Sequence, residues 1–336
     1  KFMSKKIAVV TLTWNDWKNT IECLESIFNS SYNFFDVILV DNNSEKHHMD
    51  KIFLWADNKI NVKDEEFDFN PNKNLEIINI EKNYVVENTG KKKIFLIKNK
   101  ENLGLTAGLN VGYNFLINQD YDYIARVDCD FIISKKYLEN MKNLFENDEK
   151  VVAASPKIKH AFLRNTVWWA GIKINWLYLK FHRTMNLKKK RIIDDERFKG
   201  IIETDSVCGC CSFYKKDALK LSGLGDEDFF LGPEDIELSF RLKKFGKILV
   251  NLNTYTLHKI ARSSEISGKF RRSYTDTLGF LLLIKKIGSF LDKFFGYSYF
   301  IFRLPIYYIL KVFFKRDRDL VNGHIKGCKD FFLKKY

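Results

Sequence analysis

Two acidic pairs and one histidine are the residues whose types and spacing could do chemistry. Asp128 and Asp130 flank Cys129, directly after the apolar run YIARV at 123–127. Two carboxylates held in one turn repel each other unless a cation binds between them. Oxygen donors favour Mg2+ or Mn2+, and those ions favour phosphate oxygens as further ligands. A solvated turn at a strand end is the other reading of the same pair. Glu234 and Asp235 follow Gly232-Pro233 and open a helix pattern. The helix dipole favours their ionised form, so a carboxylate of lowered pKa is expected, suited to accept a proton as an attacking hydroxyl develops charge. Helix capping alone also explains acids in a first turn. His258 ends a strand-like run; as a metal ligand it needs a partner, and Asp130 is the plausible one.

Other spacings exclude chemistry. Asn102-Leu103-Gly104 and Gly108 punctuate the start of a helix pattern and offer a close backbone approach to a nucleotide. They are not a GxGxxG fingerprint, and no GxxxxGK[ST] loop occurs, which disfavours kinases, NTPases and nicotinamide enzymes. No GxSxG elbow is present. The six cysteines include Cys208, Cys210 and Cys211 within four positions and form no CxxC pair. That is neither a disulfide framework nor a zinc pattern, and buried packing in a reducing compartment is expected.

The elements that must position these residues alternate in type. Strands are predicted at 6–13, 36–41, 94–98 and 123–127, with helices at 16–30, 105–118, 134–147 and 233–245 and a short apolar run at 151–154. Asp16 is the predicted cap of the first helix. Such alternation implies a doubly wound α/β sheet, whose ligands bind beyond the carboxyl ends of the strands. Asp41 and Asp128 each sit just past such an end. A polar stretch, 57–75, reads as a surface excursion, and 156–212, with Trp168, Trp169, Trp176 and a basic run at 188–191, is less regular.

The 336 residues allow one large domain or two ordinary ones, and 46% hydrophobic with 29% charged residues fits a folded protein. Of the net charge of +14, +11 lies within 259–336. A segment so basic should seek phosphates, in nucleic acid, anionic lipid or a pyrophosphate-linked substrate. The N-terminal residues enter a strand pattern with no apolar leader, so secretion is not expected.

The order of these segments resembles family 2 glycosyltransferases of the inverting GT-A type, nearest the bacterial rhamnosyltransferase-like branch. The resemblance runs from about residue 5 to 285. It is carried by IAVVTLTWNDWKNTIECLESI, ILVDNNS, NKENLGLTAGLNVGYNF, DYIARVDCDFIIS, WWAGIKIN, the segment from TDSVCGCCSF to GPEDIELSFRLKKFG, and LHKIARSS. The resemblance implies a GT-A catalytic domain at 1–265, with a nucleotide half at about 1–131 and an acceptor half at 132–265. A helical, basic and aromatic extension follows at 266–336.

It also implies roles. Asp41 would hold the base or ribose, with Thr11 and Asn15 near the base, and Asn102 and Gly104 would line the nucleotide pocket. Asp128 and Asp130 match the DxD pair; Asp130, with His258 and Asp128, would bind a divalent metal (Mn2+ or Mg2+) bridging the two phosphates, and Asp128 would also contact the nucleotide-sugar. Asp235 matches the catalytic base, with Glu234 near the acceptor. Trp168, Trp169 and the 207–211 stretch, including Gly209, would shape the acceptor side. Many close relatives carry Asn-Asn-Asp where this chain has Asp128-Cys129-Asp130. Leu109 stands where the wider family often has Arg, and the 57–93 excursion is longer than usual.

The implied activity is transfer of a sugar from a nucleoside-diphosphate donor, dTDP-rhamnose or a UDP-sugar, to a hydroxyl of a glycan or polyprenyl-linked glycan in bacterial surface polysaccharide synthesis. The implied place is cytoplasmic, at the inner face of the membrane. An inactive scaffold member is disfavoured by the intact acids, and a nucleic-acid binder leaves those acids unexplained. In 294–314, 16 of 21 residues are apolar or aromatic. Length permits a membrane span, but Arg303, Pro305 and Lys311 argue against one. An interfacial helix on an anionic leaflet, or a helical cap packed on the catalytic domain, are the two alternatives.

Overall fold

The computed structural model describes residues 5–62, 75–80, 93–163, 165–175, 180–183, 192–259, 268–298 and 318–335. Trp176, the basic run at 188–191 and most of 294–314 lie outside them.

The strand β1 (Ile7–Thr13) alternates its side chains between two layers. Ile7 and Val9 join one core with α1 (Trp17–Phe28), while Ala8 and Val10 join a second on the opposite face. A sheet buried on both faces needs such a continuous apolar run. Asp16 caps α1 through Asn19 N, as expected. Next come β2 (Phe35–Asp41), α2 (Lys46–Ala56), β3 (Glu76–Asn79) and β4 (Lys93–Lys98). Then follow α3 (Gly104–Leu116), β5 (Tyr123–Val127), β6 (Phe131–Ile133) and α4 (Tyr137–Asn147). Helices α1, α2 and α4 cover one face of the sheet and α3 the other.

The alternating strands of the first half pair as predicted: β5, β1, β2, β4 and β3 lie side by side and all parallel. Two elements escape the sequence reading. Helix α2 carries its buried stripe on Met49, Ile52, Trp55 and Ala56 amid histidines and charges, and β3 lies within the 57–93 excursion, just past its polar stretch.

The middle third is more ordered than expected. The run at 151–154 is the start of a ten-residue strand, β7 (Val151–His160). It is followed by β8 (Thr166–Trp169), β9 (Ile172–Asn175), β10 (Lys180–Arg183), β11 (Ile192–Ile193), β12 (Ile201–Glu203) and β13 (Cys211–Lys215). Strands of two to five residues are too short to display a period in the sequence. Of these, β11, β8, β7 and β13 extend the sheet in the order β11-β8-β7-β13-β5, with β13 antiparallel to both of its neighbours, while β9 and β10 pair with each other. After α5 (Lys216–Ser222) and α6 (Glu234–Leu242), β14 (Lys247–His258) runs parallel to β7 and antiparallel to β6. The fold is thus a mixed α/β sheet, mostly parallel, flanked by helices.

Two tail helices, α7 (Gly268–Ile287) and α8 (Arg318–Phe332), pack on each other. Leu278, Leu281, Leu282 and Leu283 of α7 share a core with Phe229, with Ile236 of α6 and with Phe331 of α8. This part of the extension therefore packs on α6 and the loop before it. Among the described residues no helix is long and apolar enough to cross a membrane.

Candidate active site

The sheet ends where the chemistry begins. Past Val127 the chain turns through Asp128, Cys129 and Asp130. The turn closes by Phe131 N donating to Asp128 O at 3.0 Å, and Asp128 N donates to Cys210 O at 2.9 Å. Pairing of β6 with β14 sets Phe131 opposite His258. The His258 ring stacks on Phe131 at 4.4 Å and meets Trp168 edge-on at 4.6 Å. These rings aim Nε2 at Asp130 Oδ2, 3.2 Å away. Nδ1 of His258 is buried and makes no hydrogen bond.

Asp130 and His258 form a two-donor set. Among the described residues no cluster of three or more His, Cys, Asp or Glu gathers at one point. A carboxylate oxygen and an imidazole, with Asp130 partly open to solvent, fit a divalent ion that completes its shell with phosphate oxygens and water.

Asp128 is placed differently. Arg126 Nε donates to its Oδ1 at 2.8 Å and Nη2 to its Oδ2 at 3.1 Å, so both oxygens are engaged. Arg126 Nη1 also donates to Glu234 Oε1 at 3.2 Å. The cation that two neighbouring carboxylates call for is, for Asp128, this guanidinium. Only 3% of Arg126 and 6% of Glu234 are exposed. Burial works against the Arg126 charge, but Asp128 and Glu234 outweigh it and hold its pKa above the ordinary value. An arginine inside the apolar run 123–127 was the sequence signal for this link, and it was missed.

Asp235 departs from expectation. Burial pushes its carboxyl up to about 7, and the Glu234 charge adds to the rise. Gly209 N–H, Arg126 and Ile236 N–H pull the other way and do not win. The helix dipole, taken from sequence as dominant, is therefore overruled by desolvation. Gly209 N donates to Asp235 Oδ2 at 2.9 Å and Ile236 N to Oδ1 at 2.9 Å. The 208–211 turn thus grips both acidic segments, through Gly209 at Asp235 and Cys210 at Asp128.

A Cβ at Gly209 would lie 3.0 Å from Asp235 Cβ and 3.1 Å from Oδ2. Gly209→Ala is expected to displace the carboxylate and lower turnover on the order of tenfold to a hundredfold. Steady-state kinetics beside a thermal melt would separate this from general unfolding.

On the opposite side of the DCD turn, Asp41 Oδ1 accepts from Ser44 N at 2.9 Å. Asn15, at φ 53°, donates from its backbone N to Ser44 Oγ and accepts from Glu45 N. Thr11 is fully buried, and its hydroxyl makes no hydrogen bond. Asn42 is the hub that sequence reasoning passed over. Its amide reaches Asn102 Oδ1 and Gly104 O, and its oxygen accepts from Asn99 and from Leu103 N. Asn102 Oδ1 also accepts from Gly104 N, so its oxygen shapes this turn. Gly104 has φ 82°, and a Cβ there would fall 2.5 Å from the Phe230 ring.

Of the two tryptophans, Trp168 alone reaches His258. Alternation along β8 turns Trp169 into the main core, 6% exposed, where it is packing rather than an acceptor wall. All six cysteines are free, and Cys208 and Cys211 are buried.

The family model "Glycosyl transferase family 2" matches residues 78–221. No curated protein matches the sequence. Among solved structures, the chain is similar to the mannosyltransferase PcManGT of Pyrobaculum calidifontis in complex with GDP-Man and Mn2+. The TM-score is 0.56 at 12% identity, over 100% of this chain and 89% of that one. It is also similar to GalNAc-T7 with UDP, GalNAc and Mn2+ (TM-score 0.54, 13% identity, 92% of this chain and 58% of that one). S. aureus TarS 1-349 aligns at TM-score 0.53 and 14% identity, over 95% and 78%. At such identities the likeness is one of fold.

Proposed function

We propose that this chain, whose residues 78–221 match the model of glycosyl transferase family 2, moves a sugar from a nucleoside-diphosphate donor to an acceptor hydroxyl, with inversion. The donor is dTDP-rhamnose or a UDP-sugar, and the acceptor a glycan or lipid-linked glycan of a bacterial surface polysaccharide. The observation that carries this reading is the Asp235 carboxyl. It is half-buried, raised to about 7 and bound by Gly209 N–H, and Cys210, the next residue in that turn, offers the carbonyl that holds the DCD turn. A base acts best when its pKa lies near the working pH.

In the proposed step Asp235 takes the proton from the acceptor hydroxyl. The oxygen attacks the anomeric carbon from the face opposite the diphosphate. The bond from that carbon to the diphosphate oxygen breaks, and the nucleotide leaves with both bonding electrons. Asp130 and His258 would hold Mn2+ or Mg2+. When bound, such an ion neutralises the charge growing on the leaving diphosphate. Thr11, Asn15 and Asp41 form the base and ribose side, and Asn102 and Gly104 shape its wall through Asn42. Arg126 keeps Asp128 and Glu234 in register. Among the solved neighbours, one complex contains GDP-Man with Mn2+ and another UDP with Mn2+; these support a metal-assisted nucleotide-sugar reading.

Calorimetry with UDP, dTDP and GDP, each with and without Mn2+, tests it. One nucleotide is expected to bind tightly and only with Mn2+, and Asp130→Ala to lose most of that metal-dependent affinity. Binding of no nucleotide under either condition would overturn the reading.

A further inference from the structure

A buried ion pair adjoins the two metal donors, and the transfer step does not use it. Glu22 of α1 is 2% exposed, and Lys259, the residue after His258, 6%. Lys259 Nζ pairs with Glu22 Oε2 and donates to Asn19 Oδ1 at 3.4 Å. Lys259 is also tied by its backbone, whose N donates to Asp130 O at 3.0 Å. This one residue therefore follows one donor in the chain, holds the carbonyl of the other, and is anchored to α1.

The rest of that helix face points the same way. Asn19, Glu22, Cys23 and Ser26 have the spacing of one side of a helix. Cys23 Sγ donates to Asp128 O at 3.6 Å, and Ser26 Oγ accepts from Ile133 N at 3.1 Å. These bonds end on the DCD turn, on β6 just after it, or on the residue after His258.

Stability alone does not account for the pair. Taking two charges out of water is costly, and apolar residues of similar volume are often as stable or more so. The cost is not fully offset here. Glu22 Oε1 makes no hydrogen bond, and the exposed Lys18 stands 3.8 Å from it. What the pair does supply is a fixed place for the end of β14. Asp130 and His258 lie 128 positions apart, so their spacing is only as firm as what joins the ends of their strands. A site with few protein donors depends on such support.

We propose that Glu22 and Lys259 are positioning residues for the divalent ion: their ion pair clamps the end of β14 to α1 and so fixes His258 against Asp130. The assignment rests on the metal-assisted transfer reading above. It gives neither side chain a contact with the nucleotide.

The test is calorimetry on the full chain with UDP, dTDP and GDP over a series of Mn2+ concentrations. Two quantities are read for the nucleotide that binds: the Mn2+ concentration that gives half of full binding, and the nucleotide affinity once Mn2+ is saturating. Glu22→Leu combined with Lys259→Met replaces the pair by apolar side chains of similar size. This double variant is expected to melt at or above the native temperature. It should need about 10- to 100-fold more Mn2+, the usual cost of a lost outer partner, and keep its nucleotide affinity at saturating Mn2+. Glu22→Asp keeps both charges but withdraws the carboxylate by one methylene. It should raise the Mn2+ requirement by less than the double variant, and it decides the matter if the double variant does not fold.

A native Mn2+ requirement in the folded double variant, or in Glu22→Asp where that variant decides, would overturn the assignment. So would a nucleotide affinity that falls at saturating Mn2+ while the Mn2+ requirement stays native, since that makes Lys259 a nucleotide contact. The two claims fail differently. Metal-dependent nucleotide binding that native protein and variants share equally sinks this inference alone. No nucleotide bound by the native protein sinks the transfer reading, and this inference with it.

Discussion

Asp235→Asn is expected to bind nucleotide with Mn2+ as the native protein does while losing about 10²- to 10⁴-fold in turnover, the usual range for a lost general base. The reason is local. The amide keeps an oxygen for the Gly209 N–H but accepts no proton from the acceptor. The native protein should show kcat/KM rising through a pH of about 7 to a plateau, because the ionised form of Asp235 is the active one. The residual activity of the variant should lack that limb.

The same shift makes a stability prediction of opposite sign. A carboxyl whose folded pKa is raised contributes stability that is complete below its unfolded value and is lost as pH rises through the folded one. Asp235→Asn should therefore melt above the native protein at pH 8, with the gap closing toward pH 4. Near-native turnover in the variant, or a native profile flat across pH 7, would remove Asp235 from the role of base.

The second large effect belongs to Arg126. Arg126→Met would leave the Asp128 and Glu234 carboxylates without their shared cation, in a site that exposes 3% of the arginine. Breaking a buried ionic network from one side destabilises by about 3–5 kcal/mol. That is a large part of the total stability of an ordinary domain, about 5–15 kcal/mol. A fall in melting temperature is expected, with partial recovery when Glu234→Gln is added. A further readout separates positioning from plain stability. Arg126 draws the Asp235 pKa down, so the acid limb of kcat/KM should move above 7 in the folded fraction of the variant. A melting curve equal to native would contradict the ionic link.

Much of the scaffold was legible because burial writes itself into long periodic segments. The apolar run of β1 and the stripes of α1 and α3 each have enough residues to display their period, and each appears where expected. Asp16 marked a helix boundary for the same local reason. The short strands of the middle third could not be read this way. Strand β11 has two residues and β12 three; what makes them strands is a partner far along the chain. Helix α2 hid its buried stripe behind histidines and charges.

The candidate site divides along the same line. Residue types, order and the positions of Asp128, Asp130, Asp235 and His258 at the ends of elements were determined by the sequence alone. Which groups touch was decided by the tertiary structure, because contacts across 26 to 128 positions depend on how strands and helices assemble. Assembly set Asp130 against His258, tied Arg126 to Glu234 and turned Trp169 into the core. It also set the proton affinity of Asp235. A helix N-terminus is a local feature and favours the anion, but desolvation is a property of the packed whole, and here it is the larger of the two.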